Sequence, residues 1–290
     1  MTTRGILALG TLALLIGCSS TPEPIRPTVT DDTTFLGLAT AEASTLDDGL
    51  SRAELYAWIA SGYRQLGDDQ NMVSLATVSL RLARDAGATE DSVRVRLSLA
   101  PLLAAAGDDA AALAALESGL SYASSTTDSQ QRSSILLLVV QSALQSDEPA
   151  RPILRRAIDE VYVIEDPEQR AETLIRIAEL YQSGGPALSV TGLIQQAIPA
   201  IRATRAPYRR SVLFARLADL AFASNELRLG NRLIDIVLSE FRQIDAPSDD
   251  REAEQLLSVI DLLARLERVD DATVLLELFD SPYFRTRGLI

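Results

Sequence analysis

From residue 50 onward the apolar residues fall at helix-face spacings, and that pattern itself returns about every forty residues. In the register Arg52, Ser92, Arg132, Arg170, Arg210 and Arg251 the steps are 40, 40, 38, 40 and 41. Seven residues on stand Ile59, Leu99, Val139, Ile177, Leu217 and Ser258. Eight on stand Ala60, Ala100, Val140, Ala178, Ala218 and Val259, and eleven on Tyr63, Leu103, Ala143, Tyr181, Ala221 and Leu262. These offsets share one helix face, and the recurrent Ala lets a second helix approach closely. Each such stretch ends near a turn signal: Gly67-Asp68, Gly107-Asp108, Ser146-Asp147, Gly184-Gly185 and Ser224-Asn225. Gly suits the end of one helix, and Asp, Ser or Asn the N-cap of the next. A second amphipathic stretch then follows, for example at 110–122, 150–163 and 226–241. Each period therefore predicts a hairpin of two helices, A and then B. One hairpin cannot bury its apolar face alone, whereas stacked neighbours can. The expected architecture is an all-α solenoid of about six hairpins over residues 50–280, with a period of 38–41.

In the second unit Leu99-Ala100, Leu103, Gly107, Ala112 and Leu116, and in the fifth Leu217-Ala218 with Ala221, resemble the small and apolar consensus of the tetratricopeptide repeat. The resemblance implies a right-handed α-solenoid that binds a protein or peptide in a concave groove lined by helices A. The family's period is about 34 residues, and its early Trp and closing Pro are missing from most units here. The superhelical pitch is therefore not carried over, and another helical-hairpin repeat would satisfy the same pattern.

Both ends of the repeat carry extra sequence. Ser281-Pro282-Tyr283-Phe284-Arg285 echoes Ala206-Pro207-Tyr208-Arg209-Arg210, so residues 281–290 read as a cap or a truncated seventh unit. Residues 35–49 are expected to cap the other end, with a short helix from Phe35 to Ala43. Ser19 to Thr34 is rich in Ser, Thr, Pro and Asp and is expected to be an extended tether.

Before that tether, the run Leu15-Ile16-Gly17-Cys18 resembles the lipobox of bacterial lipoproteins. Arg4 precedes an apolar stretch from Gly5 to Ile16, shorter than the ~20 residues a spanning helix needs, which suits a signal-peptide core. The resemblance implies removal of residues 1–17 and a lipid (palmitate) on Cys18, giving membrane attachment through residues 18–34. Ser19 and Ser20 after the cysteine imply delivery to the outer membrane of a bacterial envelope, on its periplasmic side.

Composition narrows the function. All 27 basic residues are Arg, set against 40 Asp plus Glu, a net charge of −13 that becomes −14 once Arg4 is removed. Nucleic-acid binding, which needs a basic stripe, is not expected. Without His there is no His-based triad or zinc site, and without Lys no phosphate-binding loop or Schiff base. Paired carboxylates remain available for acid–base chemistry, but nothing in the pattern singles out a pair. No enzyme activity, cofactor or metal is expected, and lipidation of the one cysteine would leave no disulfide.

The candidate binding residues are Arg132, Arg170 and Arg210 of the recurrent row, with Tyr181 and Tyr208. The row lies within about 40° of the packing face of helix A. Asp48, Asp128 and Asp166 stand four residues before three of its members, as N-caps and as i,i+4 ion partners. The Arg row then reads either as structural pairing or as a ladder gripping carboxylates. Asp68-Asp69, Asp108-Asp109 and Asp270-Asp271 read as caps of helices B. Tyr56, Trp58, Tyr63, Tyr181, Tyr208 and Phe214 read as core, or as binding anchors if they face the groove. The expected function is a lipid-anchored scaffold or assembly factor. The alternatives are a ligand-binding component of an uptake system and a structural lipoprotein without a specific partner.

Overall fold

The computed structural model describes residues 34–146, 150–184, 190–244 and 246–289. Cys18, most of the tether, and the turn residues Asp147 and Gly185 lie outside them. Among the described residues there are fourteen helices and no strand. Six are helices A: α2 (Gly49–Gln65), α4 (Glu90–Ala105), α6 (Ser129–Leu144), α8 (Pro167–Gly184), α10 (Pro207–Ala223) and α12 (Asp250–Arg265). Each is followed by its helix B: α3 (Asp69–Asp85), α5 (Asp109–Ser125), α7 (Arg151–Val161), α9 (Val190–Ala203), α11 (Leu227–Phe241) and α13 (Val269–Leu276). A short α1 (Phe35–Ala43) precedes the first hairpin, and a short α14 (Pro282–Arg287) follows the last.

Each helix A packs on its own helix B and on the next helix A, so the chain is an α-solenoid. The core runs along this stack. In α4, Val95, Leu99 and Leu103 turn toward the first hairpin, while Val93, Leu97 and Ala100 turn toward the third. The recurrent Ala60, Ala100, Ala178 and Ala218 are all fully buried. At Gly119 of α5 a Cβ would stand 2.7 Å from both Leu97 and Val139. The absence of a side chain there is what lets three helices meet.

The turns explain why each helix A stops where it does. Gly67, Gly107, Asn225 and Glu267 all have left-handed backbone, with φ between 59° and 78°. The next residue in each case, Asp68, Asp108, Glu226 or Arg268, donates its N–H to the carbonyl of Tyr63, Leu103, Ala221 or Leu263 at 2.8–3.0 Å. This is the six-to-one bond of a Schellman cap. Asp68 and Asp108 then cap helix B, accepting from the N–H of Asn71 and Ala111. Asp270 and Asp271 do not follow suit. They lie in the first turn of α13, where Asp271 binds Arg268 at 2.7 Å.

The turn also corrects the register of the sixth unit. Counting back from Glu267 as from Gly67 or Asn225, the equivalent of Arg210 is Glu252, one residue beyond Arg251. Burial agrees: Val259, Ile260 and Leu263 are buried and take the core positions, while Ser258 and Arg251 are exposed. The fifth unit is simply one residue longer in its closing loop than the repeat implied.

Candidate functional site

The structure gives the Arg row one recurrent use. Arg132, Arg170 and Arg210 each donate to the carbonyl six residues back, that of Thr126, Ile164 or Thr204, at 2.5, 3.2 and 3.2 Å. Arg285 in α14 does the same to Phe279 at 2.5 Å. Those carbonyls lie at the C-terminal end of the preceding helix B, where the backbone carries negative partial charge and unpaired acceptors. Arg132 also reaches the carbonyls of Ala123 and Val163, clamping the ends of α5 and α7. Arg210 adds a two-point pair with Glu240. In the second unit, Ser92 occupies the row and Arg96 donates to Gly87 instead.

The expected ion pairs with Asp48, Asp128 and Asp166 do not form. Each Asp accepts from backbone N–H groups at the start of its own helix. The Arg stem leans back toward the helix N-terminus, as helical side chains do, and so meets the helix end behind it. Tyr181 and Tyr208 are buried, which leaves neither ring open to a partner. Burial pushes the Tyr181 hydroxyl up to about 12, and the Tyr208 hydroxyl donates to the carbonyl of Glu252.

The exposed surface of helices A carries a second set of charges. Arg209 of α10 binds Glu168 and Glu172 of α8 at 2.8 and 2.5 Å. Arg216 binds Glu172 and Glu179 at 3.4 and 2.8 Å. Arg265 of α12 reaches Asp219 of α10, and Arg287 of α14 reaches Glu254 of α12. Nearer the start, Gln131 and Arg94 bind Glu90 and hold its carboxyl below the usual range. Arg94 also reaches Ser134 of α6. Ser133 of α6 meets Thr173 of α8 at 2.7 Å, so the helices A from α4 to α12, and α14 after them, are tied in succession by side-chain bonds.

The first hairpin keeps one link of this kind, Arg64 of α2 donating to the carbonyl of Pro101 in α4 at 3.2 Å, but among the described residues it has no acid–Arg pair with α4. Trp58 of α2 is 81% exposed, although core packing was expected of it. The reason is angular: Trp58 stands two residues past the buried Tyr56, about 200° round the helix. It separates two depressions. One, of 530 Å³, lies between α1 and α2 and is lined by Phe35, Leu36, Ala39, Leu55 and Gly62, with Glu42 at its edge. Gly62 makes it possible, since a Cβ there would stand 3.2 Å from Leu36. Phe35, at 84% exposed, and Leu38, at 61%, leave the outer side of α1 apolar. The other depression, of 330 Å³, lies between α2 and α4 and holds Glu54, Ala57, Asp91, Arg94, Val95 and Ser98. An exposed indole between two grooves is the most accessible apolar feature of the helix-A surface. A helical wheel drawn from Tyr56 would have found it.

No helix among the described residues is long and apolar enough to cross a membrane. The sequence matches no protein-family model and no curated protein. Among solved structures, the chain is similar to a variant of a Podosopora anserina protein assigned as a kinesin light chain with nearly identical TPR-like repeats. The two are 16% identical with a TM-score of 0.38, over 67% of this chain and 96% of that one. It is also similar to Ton1535 from Thermococcus onnurineus NA1, at 15% identity and a TM-score of 0.38, over 88% of this chain and 82% of that one.

Proposed function

We propose that this chain is a lipid-anchored helical-repeat protein that binds a protein or peptide partner at the bacterial cell envelope, as a scaffold or assembly factor. The observation that carries the binding role is Trp58, 81% exposed between two grooves on the helix-A surface. Burying an indole recovers more free energy than burying most side chains, and Trp leads the residues that dominate protein interfaces. Stacked hairpins add an extended surface on which a second chain can lie. The Arg row is read as structural rather than as the grip, a reading supported by the helix-end carbonyls that its guanidiniums bond. The anchoring half of the reading rests on Leu15-Ile16-Gly17-Cys18, with the acyl chains on Cys18 as the attachment and the outer membrane as the destination. With no His and no Lys in the chain, binding is preferred to catalysis.

Two experiments test the halves separately. Cells fed labelled palmitate should label the chain and lose the label with Cys18→Ala, and a labelled alanine variant would overturn the anchoring. A photo-crosslinking residue in place of Trp58 should capture a discrete partner in native cells, whereas one at Arg81 of α3 should not. Absence of any adduct at Trp58, Leu55 or Ser98 would overturn the binding role.

A further inference from the structure

We infer that the partner surface around Trp58 takes a basic amphipathic segment, one that sets an aliphatic or aromatic side chain into the α1–α2 groove and Lys or Arg beside it. The inference rests on the partner-binding reading and goes on to name the chemistry of what is bound. Three observations converge on it. The α1–α2 groove is apolar and open, with Phe35, Leu55 and Trp58 around it. Among the described residues, no ion pair or side-chain hydrogen bond engages the carboxylate of Glu42, which lines the first groove, or those of Glu54 and Asp91, which line the second beside Arg94, itself bound to Glu90. Further along the same surface Glu168, Glu172, Glu179 and Asp219 each pair with an Arg of the following helix A, and Glu254 pairs with Arg287 of α14. Finally, an indole face exposed to solvent attracts a cation directly.

The Arg–acid pairs between helices A run from α8 to α12 and on to α14, and the apolar surface of the first hairpin lies outside them. At the position of Arg216, the first hairpin has Trp58; at the position of Arg209, it has Ser51. Glu42 at the apolar groove, with Glu54 and Asp91 in the adjacent depression, where Arg94 is taken up by Glu90, favours a cationic partner and repels an acidic one. The same charges disfavour an anionic membrane as the occupant.

The test uses the processed chain, residues 18–290, carrying Cys18→Ser so that no acyl chain intervenes. The probe is a helical peptide of Leu and Lys about five turns long, alongside a counterpart with Glu for every Lys. Trp58 is the only Trp, so its emission reports this site alone. The Lys peptide should shift that emission to the blue and bind less tightly as salt is raised, and the Glu peptide should do neither. By calorimetry, Trp58→Ala should weaken the Lys peptide by about tenfold or more. Removal of an exposed side chain leaves the fold intact. Glu54→Gln with Asp91→Asn should weaken it by a few fold, while Asp270→Asn with Asp271→Asn, at the far end, should leave it unchanged. Equal binding of the Glu peptide, or equal loss from the remote acids, would overturn the inference. So would an emission shift with zwitterionic vesicles and none with peptide, which would make the patch a membrane contact. If partner crosslinks form at Trp58 while the Lys peptide fails to bind, the binding role stands and only the basic partner falls.

Discussion

Arg132 shows what a single residue contributes to a stacked repeat. Its guanidinium bonds the carbonyls of Ala123, Thr126 and Val163, which belong to two successive helices B. Charge-assisted bonds to helix ends contribute more than neutral ones. Arg132→Ala is expected to lower unfolding free energy by about 1–3 kcal/mol in urea melts. Arg132→Lys should recover little of it, since one ammonium cannot reach carbonyls on both helices. Full recovery by Lys would mean that charge alone matters. Tyr181 gives a prediction in pH. Its hydroxyl is raised from the usual 10 to about 12 by burial, and it has no hydrogen-bond partner among the described residues. Between those values the unfolded chain releases the proton and the folded chain keeps it. The stability this group contributes is therefore complete below about pH 10 and declines as the pH climbs toward about 12. In Tyr181→Phe the alkaline decline should be shallower, and an unchanged profile would show that Tyr181 does not take part in it.

At the scale of an element, the turn after helix A and the close approach of helix B set the repeat. Glu267 holds the left-handed conformation that Gly67 and Gly107 hold elsewhere, at a steric cost that Gly avoids. Glu267→Gly should raise stability by up to about 1 kcal/mol, and thermal melts that show a loss would argue that its side chain makes a compensating contact. Gly119→Ala should act in the other direction. A Cβ at 2.7 Å from Leu97 and Val139 must push two buried side chains, a typical overpacking cost of about 1–3 kcal/mol. An unaltered urea midpoint would show that these two neighbours can give way freely.

Across the whole molecule, stability is a chain of nearest-neighbour contacts, because each hairpin touches chiefly the hairpins beside it. Its ends therefore open first. α14 buries no residue, and α1 buries only Gly37, Thr40 and Ala43. α8 and α10 sit inside the stack and share charge pairs through Arg209 and Arg216. Amide exchange is expected to be fastest in α1 and α14 and slowest in α8 and α10. Uniform exchange across the hairpins would instead indicate a single cooperative block. Unpairing of α1 matters for binding, since it forms one wall of the groove beside Trp58.

The helices, their hairpin order and the forty-residue period were legible in the sequence, because helix periodicity and turn chemistry are local. Ala60, Ala100, Ala178 and Ala218 announce close contacts, and Gly67 and Gly107 announce the turns, before any fold is known. The sixth register was not legible: Arg251 mimics the row, and only burial and the left-handed Glu267 place Glu252 there instead. Nor were the partners of the Arg row. An Asp four residues earlier is the obvious local candidate, but the carbonyls that Arg132 and Arg170 take belong to the packing of one helix end against the next hairpin. The same holds for Trp58. Its place on the outer side of α2 follows from helix geometry, but its exposure depends on where α1 crosses. That crossing is set by Leu36 resting on Gly62, a tertiary contact between residues that local periodicity does not relate.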